Sequence, residues 1–146
     1  GVLAGAGLAV QPTWLPFTPW TTLDDFVNLL AWIRARDLIA HVPAVQLSIR
    51  LLIPPGSALL SDPDATAWLG PLDAANFTYT WRNPDPCVEV LQQRVAAVAE
   101  AGEGAYAAFA AIERLAYGLA GRRPPAAPLR SHLDPDPPRL TEDWFC

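Results

Sequence analysis

Apolar residues recur at helical spacing in three stretches of the chain. In "TTLDDFVNLLAWIRARDL", Leu23, Phe26, Val27, Leu30 and Ile33 form one stripe. Thr22 is placed to cap this helix, and Asp24 and Asp25 in its first turn suit the helix dipole. A second helix is expected from Asp85-Pro86, an N-cap followed by proline at the first helical position. Its apolar face is Val88, Leu91, Val95 and Val98, and it ends near Gly102. A third runs from about Gly104 to Ala120, with Tyr106, Phe109, Ile112, Ala116 and Leu119 inward and Gly121 as its stop.

Two stretches alternate instead. "LAVQPTWLPF" sends Ala9, Gln11 and Thr13 one way and Leu8, Val10 and Trp14 the other. "VPAVQLSIRLLIPPG" separates Val45, Leu47, Ile49 and Leu51 from Gln46, Ser48 and Arg50, and Pro54, Pro55 and Gly56 end it. The opening "GVLAGAG" reads as the end of a helix. Residues 57–84 read as irregular, with a short extended piece at Phe77, Tyr79 and Trp81. Beyond 121 there are six prolines and no periodicity.

Strand, helix, strand and then a helical appendix predicts two parallel strands within an α/β fold. A doubly wound sheet, covered on both faces, has strands that are apolar on both sides. Here each strand keeps a polar side, so the pattern predicts a barrel with helices outside and a polar lumen within. Expressed alone, two such strands would leave sheet edges open.

The totals refine this picture. The chain has 146 residues, 51% of them hydrophobic and 17% charged, enough apolar content for a packed core. The net charge is −5 and no basic stripe is visible, which argues against a nucleic-acid partner. All ten basic residues are Arg, a signature of GC-rich coding. No apolar run is long enough to span a bilayer. The opening residues lack the charged start of a signal peptide, so a cytoplasmic location is expected. Cys87 and Cys146 have no metal-motif spacing.

"RLLIPPGSALL" resembles the segment that closes the last strand of many radical S-adenosylmethionine (radical SAM) enzymes. "PTWLPFTPWTTLDDFVNLLAWI", "VQLSIRLLIPPGSALL", "YTWRNPDPCVEVLQQRV" and the terminal "EDWFC" together resemble the C-terminal half of the CUAEP/CCAEP-tail radical SAM proteins. The resemblance implies the C-terminal strands and helices of a partial (β/α)₆ barrel in residues 1–60. An irregular segment and helical extension would follow in 61–121, and a proline-rich tail in 122–146. It implies an enzyme that cleaves S-adenosylmethionine reductively with a [4Fe–4S] cluster on a Cys-x3-Cys-x2-Cys loop. That loop is absent from this chain, so the rest of the barrel and the cluster ligands would come from an N-terminal portion, and this chain alone would be inactive. It also implies that the family's tail continues past Cys146 with selenocysteine or cysteine and then Ala-Glu-Pro, so that a UGA codon would follow Cys146.

Arg50, at the C-terminal end of its strand on the polar side, is then the leading candidate to clamp a carboxylate of S-adenosylmethionine or of an unknown substrate. Ser48, Gln46, Gln11 and Thr13 are further lumen candidates. Cys146 and Cys87 are redox candidates, Cys87 because it stands at the second position of a helix. The competing reading is a helical interaction module without catalysis, which accounts for residues 85–120 but not for the polar-sided strands.

Overall fold

The structure, a computed structural model, describes residues 12–126. They form a small mixed α/β unit of three α-helices, several 3₁₀ turns and one two-stranded antiparallel sheet. Helix α1 is Leu23–Ala35, α2 is Pro86–Glu100 and α3 is Ala105–Leu119; strands β1 and β2 are Leu69–Asp73 and Thr78–Trp81.

Local chemistry sets the helix ends. The Thr22 hydroxyl accepts from the Asp25 N–H at 3.1 Å, and the Asp25 carboxylate accepts from the Thr22 N–H at 2.9 Å, a reciprocal capping box. Thr22→Ala is expected to cost about 1 kcal/mol in denaturant unfolding, while Thr22→Ser stays close to the parent protein. At the other end, Leu38 N–H reaches the Ile33 carbonyl and Asp37 N–H the Arg34 carbonyl. This closure requires a left-handed residue, and Asp37 supplies it at φ 56°. Gly121, at φ 66°, ends α3 in the same way, with Arg122 N–H on the Tyr117 carbonyl. Asp85 caps α2 by accepting from Cys87 N–H.

The core follows the helical stripes. Phe26, Val27, Leu30 and Ile33 of α1 are buried, as are Val88, Leu91 and Val95 of α2 and Phe109, Ile112 and Ala116 of α3. The third helix is the hub: α1, α2 and the 3₁₀ turns at Ile39–His41 and Ala44–Leu47 all pack on it. One ion pair crosses this interior. Arg34 of α1 donates to both carboxylate oxygens of Glu113 on α3, which is 3% exposed.

The expected strand over 42–51 does not form. Ala44–Leu47 is a 3₁₀ turn, with Gln46 N–H on the Pro43 carbonyl and Ser48 N–H on that of Val45. An isolated strand would leave these N–H groups without acceptors, whereas the turn satisfies them locally. The alternation of apolar residues is thereby broken: Leu47 is 1% exposed but Val45 is 57% exposed. The earlier expected strand begins outside the described residues, and its remainder, from Pro12 to Pro16, is irregular.

Of the two parallel strands, one bridge remains, between Phe17 and Arg50. Phe17 N–H donates to the Ile49 carbonyl at 3.3 Å, and Leu51 N–H to that of Phe17 at 2.9 Å. No barrel is present among the described residues. The extended residues beyond the bridge turn to the hairpin instead, where Tyr79 N–H meets the Ile53 carbonyl at 2.8 Å. Leu69 faces Trp81, and Leu72 faces Tyr79, with a bulge between the first two pairs. At Gly70 a Cβ would collide with the Thr80 hydroxyl, so a larger residue here would force that side chain to shift.

Candidate functional site

Arg50 leaves the bridge and enters a polar knot. Its guanidinium lies over the Trp81 ring, 3.9 Å from the centroid. Nη1 donates to Glu89 Oε2 at 2.9 Å; Nη2 donates to Glu89 Oε1 at 3.2 Å and to the Trp81 carbonyl at 2.9 Å. Glu89, in the first turn of α2, also accepts from Asn83 N–H at 2.7 Å. Asn83 is buried. Its amide donates to the carbonyls of Thr21 at 2.8 Å and Thr18 at 3.2 Å, and its side-chain oxygen accepts from Asp85 N–H at 2.8 Å. The Trp81 indole donates to the Leu51 carbonyl at 2.7 Å. Burial pushes the Glu89 carboxyl up, but the hydrogen bonds from Arg50 and Asn83 and the charges of Arg50 and Arg82 outweigh it and hold the group below its ordinary value.

The expected carboxylate clamp therefore holds a carboxylate of its own chain. The other candidates do not converge on a lumen with it. Gln46 Oε1 accepts from Trp14 N–H at 3.4 Å. The Ser48 hydroxyl donates to the Val45 carbonyl at 2.9 Å, and the Ser48 carbonyl accepts from Gln92 Nε2 at 3.2 Å. In a 3₁₀ turn the side chains repeat every three residues, so positions 46, 48 and 50 no longer share a face. Thr13 is exposed on the irregular lead-in. Cys87 is a half-buried free thiol at the second position of α2. Gln11 and Cys146 lie outside the described residues.

Sequence reasoning selected Arg50 but missed Glu89, Asn83 and Trp81 as its setting. Glu89 is 39 residues away, and only its position in the first turn of a capped helix marks it. Among the described residues no group of three His, Cys, Asp or Glu side chains could hold a metal ion. The donor set does not fit an iron–sulfur cluster, and no step through one is assigned to these residues. No described helix is long and apolar enough to cross a membrane.

Two open clefts flank the knot. One, about 440 Å³, is walled by Trp14, Leu15, Trp20 and Leu29 with Asp25 at its side. The Asp25 carboxylate is engaged with Thr22, whose hydrogen bonds hold it below its ordinary value. The other, about 630 Å³, lies along the hairpin between Trp68 and Arg82. Trp20 and Trp68 meet edge to face at 5.5 Å. Compared with known proteins, the chain matches no family model, no curated protein and no solved structure.

Proposed function

We propose that this chain is the C-terminal portion of a radical SAM enzyme, a part that shapes and supports the reaction chamber without ligating the cluster. One observation carries the reading. Each of the three internal stretches that resemble the CUAEP/CCAEP-tail proteins contributes a partner to the same knot: Thr18 and Thr21 from the first, Arg50 and Leu51 from the second, and Trp81, Asn83 and Glu89 from the third. The resembling residues thus have a shared physical task, the joining of bridge, hairpin and α2. The parallel bridge at Phe17 and Arg50, with α1 between its two sides, is in keeping with a β/α unit. In this reading Arg50 is a positioning residue, and the clefts beside the knot are the surfaces offered to ligand or to the remainder of the enzyme.

The reading frame upstream of Gly1 tests this directly. A Cys-x3-Cys-x2-Cys run is expected roughly 100–200 codons earlier, a distance set by barrel size. An initiator Met codon immediately before Gly1 overturns the proposal.

A second reading, a self-contained interaction module, is favoured by the continuity of the core. Buried residues from all three helices, the 3₁₀ turns and the hairpin belong to one cluster. An initiator codon immediately before Gly1 would select it.

A further inference from the structure

We infer that the hairpin cleft binds a planar aromatic monocarboxylate, which rests on the reading above for the cleft's role and names the ligand class it would take. Three observations converge there. The cleft, about 630 Å³, has the size of a small-molecule site, and Trp68, Leu69, Pro71 and Trp81 give it apolar walls. Arg82 stands at its edge, exposed, and its guanidinium makes no hydrogen bond or ion pair with another described side chain. Glu89 is the acid whose charge it feels, and that carboxylate is already held by both arms of Arg50. The third observation is the Trp68 indole N–H. Trp68 is 6% exposed, and this donor is buried without an acceptor. Of the two indoles that line the cleft, Trp81 donates to the Leu51 carbonyl, whereas the Trp68 N–H is covered by protein and has no acceptor.

These groups select the ligand. A guanidinium fork matches the two coplanar oxygens of a carboxylate, and indole walls favour a flat apolar body. One cation balances one negative charge. A phosphate dianion would be only half neutralised by Arg82, on a chain whose net charge is −5. Because the Trp68 N–H is covered, engaging it requires the ring to shift, which gives the site its own readout.

The test titrates the full chain with 2-naphthoate and follows the indole N–H resonances. The Trp68 signal, assigned by its loss in Trp68→Phe, should move and saturate. Arg82→Gln should weaken binding about tenfold or more, the worth of a hydrogen bond between charged partners. Uncharged 2-naphthamide should bind weakly by a similar factor, and 2-naphthyl phosphate should bind less tightly than naphthoate. The inference is overturned if the amide binds as well as the acid, if Arg82→Gln leaves affinity unchanged, or if only the Trp14 and Trp20 signals move. Phosphate binding as tight as naphthoate overturns the carboxylate assignment. None of these outcomes depends on the reading frame upstream of Gly1.

Discussion

Arg34→Met is expected to destabilise the protein by about 3–5 kcal/mol, the cost of leaving a buried charge without its partner. The carboxylate left behind is Glu113, whose side chain is 4% exposed, on the helix against which the other elements pack. Folding free energies of domains are about 5–15 kcal/mol, so this loss would remove a large share of the total. The pair itself is a different matter. Two charges taken out of water lose much of their mutual attraction to desolvation, and apolar replacement of both partners is often neutral. The double variant Arg34→Met/Glu113→Leu should therefore recover most of the loss, while Glu113→Leu alone, which removes the carboxylate from the less buried Arg34, should fall between. Denaturant unfolding of the four proteins closes the cycle. If Arg34→Met alone costs less than about 1 kcal/mol, water reaches Glu113 and the pair behaves as a surface ion pair.

The same contrast between local and distant partners decides what the sequence reveals. The helices were legible because their signals lie within a few residues of each other: Thr22 with Asp25, Asp85 before Pro86, Gly102 and Gly121 after the last turns. The α/β expectation rested on the two alternating stretches, whereas the strands that form are Leu69–Asp73 and Thr78–Trp81, of which the sequence marked only the extended piece at Phe77, Tyr79 and Trp81. The strand expected over 42–51 failed because alternation is a necessary feature of a half-buried strand and not a sufficient one. Val45 and Leu47 alternate correctly with their neighbours, yet Pro43 opens a turn there and α2 and α3 bury Leu47 alone. Strand β1, with sequence LGPLD, carries the two residues that disfavour strands most, and its pairing with β2 overrides them. The site was half legible for a related reason. A lone Arg on an extended segment advertises a need for an anion, but the sequence does not say whether the anion is a ligand or a residue 39 positions on. Arg82, ignored in the sequence, is the exposed cation that lines the hairpin cleft, while Arg50 is held by Glu89.

That exchange of roles makes Arg50→Ala the second decisive variant. It removes both arms of the Glu89 pair, the bond to the Trp81 carbonyl and the stack on the Trp81 ring. Both charged side chains are about a quarter exposed, so screening limits the loss, and about 2 kcal/mol is expected at pH 7. Its pH dependence separates the contributions. The Glu89 carboxyl is held below its ordinary value of 4.5 in the folded protein. A carboxyl depressed by folding stabilises the native state above its unfolded value, and that stability is lost as pH falls through the folded value. The gap between parent and Arg50→Ala should thus be widest at neutral pH, begin to narrow below about pH 4.5, and leave a remainder in acid. The remainder belongs to the Trp81 carbonyl and ring, which do not titrate with Glu89. Arg50→Lys keeps the charge but loses the fork, so it should retain part of the pH-dependent share and little of the remainder. Unfolding curves measured from pH 7 down to pH 3 distinguish the cases. A gap that stays constant over that range would mean that Glu89 contributes nothing through Arg50, and that the knot is held by stacking and by Asn83.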